Sequence, residues 1–145
     1  MEEELDPEGL ARVSRLFEVL DAPGRMALLS SSHKRNYAPG TVICREGEPG
    51  EEFFVIGRGR VRVSADDLGK EKELAVLQAG TFFGEMAALG GHVRSATATA
   101  IDQVELVVFP FSAVLEVLRE RPAAMEVLAR VGMLRSELTM QKLME

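Results

Sequence analysis

"YAPGTVICREGEPGEEFFVIGRGRVRV", residues 37–63, places glycines at 40, 47, 50, 57 and 59 between short runs of β-branched and aromatic residues. Punctuation at such short intervals leaves no room for a helix of ordinary length, so "TVICRE", "EFFVI" and "RVRVS" read as strands joined by tight turns. Arg60-Val61-Arg62-Val63 alternates charge with valine, the pattern of a strand with one wet face. Further along the chain the same texture returns in "LAVL", "ATATAI" and "VELVVF", with residues 66–72 as a polar hairpin tip. From His33 to Pro110 the chain therefore reads as an antiparallel sandwich or barrel.

Helical periodicity brackets this β region. Residues 7–20 form an amphipathic pattern, with Asp6 as cap, Pro7 in the first turn and Leu10, Val13, Leu16, Phe17 and Leu20 along one face. Residues 23–30, carrying Met26, Leu28 and Leu29, suggest a second short helix. After Pro110, "FSAVLEVLRE" fits a helix capped by Ser112, and Arg121-Pro122 restarts a last one with proline in its first turn. In that last helix Val127, Val131, Leu134 and Leu138 make a stripe that packs on the β region or on a partner helix.

A length of 145 residues with 46% hydrophobic content suits one domain with a real core. The net charge of −6 argues against nucleic acid as a direct partner, because phosphate backbones are gripped by clustered Lys and Arg. Cys44 is the single cysteine, which excludes an intrachain disulfide, and Met1-Glu2-Glu3-Glu4 carries no secretory pattern, so a cytoplasmic location is expected. The apolar runs fall well short of the roughly 20 residues of a membrane helix. His33 and His92 are the only histidines. Neither has the spacing of a metal site or catalytic triad, and no enzyme is expected.

From residue 74 to residue 101 the only formal charges are Glu85 and Arg94. At the chain's average of 28% charged residues that stretch would hold about eight. Gly84 follows the paired aromatics Phe82-Phe83 and lets the backbone approach a ligand, while residues 85–89 are good formers of a single helical turn. The unpaired amides at such a start attract anions. Arg94-Ser95 then returns at the head of a strand of small residues, adding a guanidinium fork and a hydroxyl that suit a phosphate. Glu85 makes sense as an acceptor for a sugar hydroxyl. Two readings stay open on spacing alone: an internal Glu85–Arg94 ion pair, or a nucleotide site.

The segment "FGEMAALGGHVRSATA", residues 83–98, resembles the phosphate-binding cassette of the cyclic nucleotide-binding domain family, and residues 37–63 resemble that family's first β-roll segment. Val93 stands where the family usually has proline. The resemblance implies an α+β fold, an antiparallel, jelly-roll-like β-roll flanked by N-terminal helices and two C-terminal helices. It divides a single domain, 1–145, into N-terminal helices (1–32), a β-roll (33–110) with the cassette at 82–97, and hinge and lid helices (111–145). It also implies that the amides of Gly84, Glu85, Met86 and Ala87 cap a cyclic phosphate, that the Glu85 carboxylate takes the ribose 2′-OH, that Arg94 holds the phosphate, and that Ser95 holds the phosphate or a purine edge. Val61 and Val63 would support the base, with Arg130 and Arg135 as candidate lid residues. The hinge would lie at residues 119–122.

The expected function is a regulatory sensor that binds cyclic AMP in preference to cyclic GMP, needs no cofactor or metal, and couples the ligand to movement of its C-terminal helices. The layout is similar to the sensor half of the catabolite-activator family. The sequence stops at Glu145, before a helix-turn-helix would begin, so a sensor without its output is expected: a stand-alone nucleotide receptor, or the regulatory piece of a larger transcription regulator, channel or kinase, with the C-terminal helix as the expected contact for a homodimer or an effector domain. The alternative is a ligand-free β-roll scaffold for protein contacts.

Overall fold

The computed structural model describes residues 15–84 and 93–144. Two strands with a core on each face account for the uninterrupted "EFFV" and "VVF" runs. The strands are β1 (His33–Tyr37), β2 (Val42–Cys44), β3 (Glu52–Arg58), β4 (Val61–Asp67), β5 (Lys70–Leu77), β6 (Phe82–Phe83), β7 (Thr97–Ala100) and β8 (Val104–Pro110). They form two antiparallel sheets, in the orders β1-β8-β3-β6 and β2-β7-β4-β5. Phe53, Phe54, Val55 and Ile56 are all buried, because β3 has a core on each face. Phe54 and Ile56, with Leu106 and Val108 of β8, meet Val61, Ala98 and Ala100 of the second sheet. Phe53 and Val55, with Val107 and Phe109, face the helices.

Those helices are α1 (Arg15–Glu18), α2 (Ala22–Ser31), α3 (Phe111–Arg119) and α4 (Pro122–Met144). The proposed β-roll with flanking helices is therefore the observed fold. Phe53 sits at the centre of an aromatic group, with ring centroids 5.2 Å from Phe82, 6.1 Å from Phe109 and 6.4 Å from Phe17. Leu20, Leu28, Val114, Leu118, Ala124 and Leu128 close the same core from the helical side. Of the first amphipathic pattern, Asp6, Pro7, Leu10 and Val13 lie outside the described residues.

Several boundaries differ from the sequence reading. Ser112 is inside α3 and does not cap it: Pro110 holds the cap position without a side-chain bond, and the amide of Phe111 donates to the Glu51 carbonyl at 2.9 Å. A β-strand thus feeds directly into the helix, and the adjoining loop takes over the capping role. The polar tip is also shorter than residues 66–72, since β4 and β5 pair up to Asp67↔Lys70 around Leu68-Gly69. The α4 stripe is split. Val127 and Val131 pack on the core, whereas Leu134 and Leu138 are exposed.

Glycine is required at position 59, where φ is +89° and a Cβ would strike the carbonyl oxygen of Gln103. This lets the β3–β4 turn lie against the β7–β8 turn, and a two-pronged Arg60–Asp102 pair at 2.8 and 2.9 Å joins the same turns from outside. Serine hydroxyls close α2: Ser30, Ser31 and Ser32 donate to the carbonyls of Met26, Leu28 and Leu29.

One carboxylate ties the two helical ends together. Asp21 Oδ1 accepts from the Gly24 amide at 2.8 Å, capping α2, and from Arg121 Nε at 3.0 Å at the α3–α4 junction. The amide bond, and after it Arg121, lower the Asp21 pKa from its ordinary 3.8. A carboxyl that is more acidic in the folded chain contributes stability that is complete above the unfolded value and lost as pH falls through the folded one. Asp21→Asn is accordingly expected to lower the urea midpoint at about pH 7 and to shrink the loss of stability between about pH 4 and pH 2. Parallel parent and variant curves across that acid range would contradict this.

Candidate functional site

Gly84 follows β6 directly and holds φ at +94°, so the chain leaves the sheet in a conformation that side chains disfavour. A Cβ there would lie 2.9 Å from Arg94 Nη1, 3.0 Å from the Glu52 carbonyl oxygen and 3.2 Å from the Phe54 ring. Three different segments therefore converge on one glycine. The stacked rings of Phe54 and Phe83, with centroids 4.8 Å apart, fix the strand pair beneath it. Glu85, Met86, Ala87 and His92 lie outside the described residues.

Val93 forms an antiparallel bridge with Pro49. Arg94 is then clamped from both sides by the β2–β3 loop: its amide donates to the Glu48 carbonyl at 2.8 Å, and its carbonyl accepts from the Gly47 amide at 2.9 Å. Its side chain turns inward and is only 6% exposed. The guanidinium lies 5.1 Å from the Phe54 ring centroid and 5.7 Å from that of Phe111. Nη1 donates to the Gly84 carbonyl at a long 3.4 Å. Gly50 makes room for it, since a Cβ at that position would overlap Nε.

Among the described residues no carboxylate lies within ion-pair distance of Arg94. Removing a cation from water costs several kcal/mol, and aromatic faces return about 0.5 to 2 kcal/mol. The balance favours an anion at the guanidinium. Glu52, the nearest acid along β3, is taken by Arg35 through two bonds at 3.1 and 2.9 Å. Arg94 also lines an open cavity of about 700 Å³ whose wall includes Cys44, Arg45, Glu48, Gly50 and Glu52. Burial pushes the Cys44 thiol pKa up, and the charge of Arg94 partly offsets this.

The remaining candidates are placed as follows. Ser95 is exposed beside Arg94. Val61 is fully buried between Ala100 and Leu77, while Val63, between Ala98 and Ala75, stays half-buried. Of the two lid candidates, Arg130 is committed to an exposed pair with Glu126 at 2.7 Å. Arg135 sits over the Phe82 ring at 5.0 Å, bringing α4 against the strand that leads into Gly84. Gly50, Phe54 and Phe111 were not singled out by sequence. Gly50 reads as one turn residue among many, Phe54 as part of a strand and Phe111 as part of a helix, so no spacing betrays the seat they make for Arg94.

The model of the cyclic nucleotide-binding domain matches residues 34–121. A cyclic nucleotide-gated potassium channel of Rhizobium etli is 41% identical over 91 residues, 63% of this chain and 24% of that protein. The solved catabolite activator protein of Thermus thermophilus superposes with a TM-score of 0.76 at 31% identity, over 88% of this chain and 61% of that one. The regulatory domain of Toxoplasma gondii PKA, crystallised with cAMP, gives 0.76 at 25% identity, over 87% of this chain and 49% of that one. The chain spans about a quarter or less of the length of the curated relatives it matches. Among the described residues no helix is long and apolar enough to cross a membrane. With the two-sheet roll and a family match over more than half of its length, this chain belongs to the cyclic nucleotide-binding domain family.

Proposed function

We propose that the domain is a regulatory sensor for cyclic AMP, favoured over cyclic GMP, and that it carries no catalytic step of its own. The observation that supports this most is the buried Arg94 guanidinium beside Gly84, without an acid partner among the described residues. In this reading the amides of Gly84, Glu85, Met86 and Ala87 surround the cyclic phosphate and Arg94 neutralises it, a charge-assisted arrangement of the strong kind. Glu85 takes the ribose 2′-OH, Ser95 adds a donor, Val63 with Val61 behind it supports the base, and Arg135 on α4 approaches from the lid side. The regulatory domain of T. gondii PKA, whose crystals contain cAMP, supports the choice of base.

The ligand is proposed to shift α3 and α4 between two arrangements about residues 119–122, by its difference in affinity for the two. The exposed Leu134 and Leu138 then serve contacts outside the domain, to a second copy or to an effector within a longer protein such as a channel, kinase regulator or transcription regulator. In this reading the stretch makes no direct contact with nucleic acid. Its setting is cytoplasmic and 1–145 acts as one domain.

A thermal-shift panel tests this. Cyclic AMP is expected to raise the melting point by mass action, cyclic GMP less, and linear AMP little. The 2′-deoxy analogue of cyclic AMP should raise it less than the parent ligand, by loss of the bond to Glu85. No shift with any cyclic nucleotide would favour the scaffold reading, and equal shifts with the deoxy analogue would remove the ribose role.

A further inference from the structure

We infer that Arg35 is a positioning residue for the anion site: it engages both oxygens of the Glu52 carboxylate and so withholds that charge from Arg94 and from the phosphate. The inference rests on the phosphate-binding role of Arg94 proposed above. Strand alternation creates the conflict that Arg35 resolves. Glu52, Phe54 and Ile56 share one face of β3, and Phe54 carries the Arg94 guanidinium over its ring. The Glu52 backbone comes equally close: its carbonyl oxygen and Arg94 Nη1 lie 3.0 and 2.9 Å from the point where a Gly84 Cβ would stand. Among the described residues that line the cavity, three are acids, Glu48, Glu51 and Glu52, and two are arginines, Arg45 and Arg94. An entering phosphate thus meets more carboxylates than guanidiniums unless one acid is neutralised from outside.

Arg35, on β1, does this. Its Nη1 and Nη2 donate to Glu52 Oε1 and Oε2 at 3.1 and 2.9 Å, the fork geometry that satisfies both carboxylate oxygens. The same two nitrogens also donate to the Tyr37 hydroxyl at 3.3 Å and to His33 Nε2 at 2.9 Å. His33, Arg35 and Tyr37 alternate along one face of β1, opposite Val108, Leu106 and Val104 of β8, and Tyr37 packs on the core between the sheets. The guanidinium is therefore aimed by its own strand and not by Glu52 alone. The bonds to Glu52, and after them the bond to Tyr37, push the Arg35 pKa above its ordinary value, so the charge is permanent. Among the described residues no other cation pairs with Glu52. Without Arg35 the carboxylate either turns to Arg94 and competes with phosphate for the same donors, or stays unpaired in the wall and repels the anion. Both lower the affinity. With side chains 36% and 35% exposed, the pair is partly shielded from water, so the charge acts at moderate strength.

A double-mutant cycle on the whole chain, read by calorimetry with cyclic AMP, tests this. Arg35→Met keeps the aliphatic stem, removes the charge and should weaken binding about tenfold. Glu52→Gln removes the acid itself and should tighten binding about twofold. The double variant is the deciding one: with no carboxylate left to withhold, it should return to within about twofold of the parent. A pair that merely fastened β1 to β3 would be damaged by either substitution and rescued by neither. An affinity unchanged in Arg35→Met, or a double variant as weak as Arg35→Met alone, therefore overturns the role given to Arg35. If Arg35→Met does not fold, Arg35→Lys keeps the charge without the fork and should weaken binding about two- to threefold, reversed again by Glu52→Gln; no loss, or a loss that Glu52→Gln does not reverse, overturns the inference equally. A parent that binds no cyclic nucleotide overturns the sensor reading and this inference with it, whereas normal binding by the parent without the rescue overturns only the part played by Arg35.

Discussion

Arg94→Ala is expected to weaken cyclic AMP binding by about 2 to 5 kcal/mol, roughly thirtyfold or more, while leaving the ligand-free protein folded. The two halves of that result have one cause. A guanidinium that is 6% exposed and has no acid partner among the described residues costs the fold desolvation that rings and one long bond to Gly84 only partly offset. Truncation relieves that cost, so the melting point without ligand should stay within a few degrees of the parent's, despite the small void left beside Gly50 and Phe54. With ligand, the same truncation leaves a phosphate without its counter-charge. Calorimetry and thermal unfolding separate the effects. Undiminished affinity in the variant would refute the role given to Arg94, and global unfolding would show that the guanidinium serves the core.

Phe53→Ala should produce the largest loss of stability, about 3 to 5 kcal/mol. The ring is 1% exposed and lies within 6.4 Å of the ring centres of Phe17, Phe82 and Phe109, which belong to the N-terminal helical region, β6 and β8. Those elements are held by backbone bonds elsewhere and cannot all move inward, so a cavity persists. Chemical denaturation measures the loss. Met26→Ala is the control: Met26 is 58% exposed on α2 and should change stability by no more than about 0.5 kcal/mol. A Phe53→Ala midpoint close to that of the control would mean that the aromatic group is not the centre of the core.

The strands were legible because their signals are local. Turn glycines with positive φ at 40, 47 and 59 stand where the sequence pattern places the turns, and the charge–valine alternation at 60–63 matches a strand with one wet face. What escaped depends on contacts between distant segments. Ser112 satisfies every local rule for a helix cap, yet Glu51, far off in sequence, supplies the acceptor at the start of α3. The α4 stripe is periodic throughout, but periodicity says nothing about where the neighbouring core ends, and it ends near Val131. Arg94 was legible as the singular cation of its stretch, whereas its seat between Gly50, Gly84, Phe54 and Phe111 draws on four separate segments. The family resemblance was carried by the same local features, and the match over residues 34–121 bears it out.

The double-faced first sheet limits how this sequence can change length. Each residue from Phe53 to Ile56 belongs to one of two apolar compartments, and neighbours in sequence belong to opposite ones. Losing or gaining a single residue there would exchange the contents of the two compartments, sending Phe54 toward the helices and Phe53 toward the second sheet. The hairpin tip has no such restriction: Leu68 is 98% exposed and Gly69 has open space around it. Length variation among relatives should therefore collect at that tip and be absent from the shared wall.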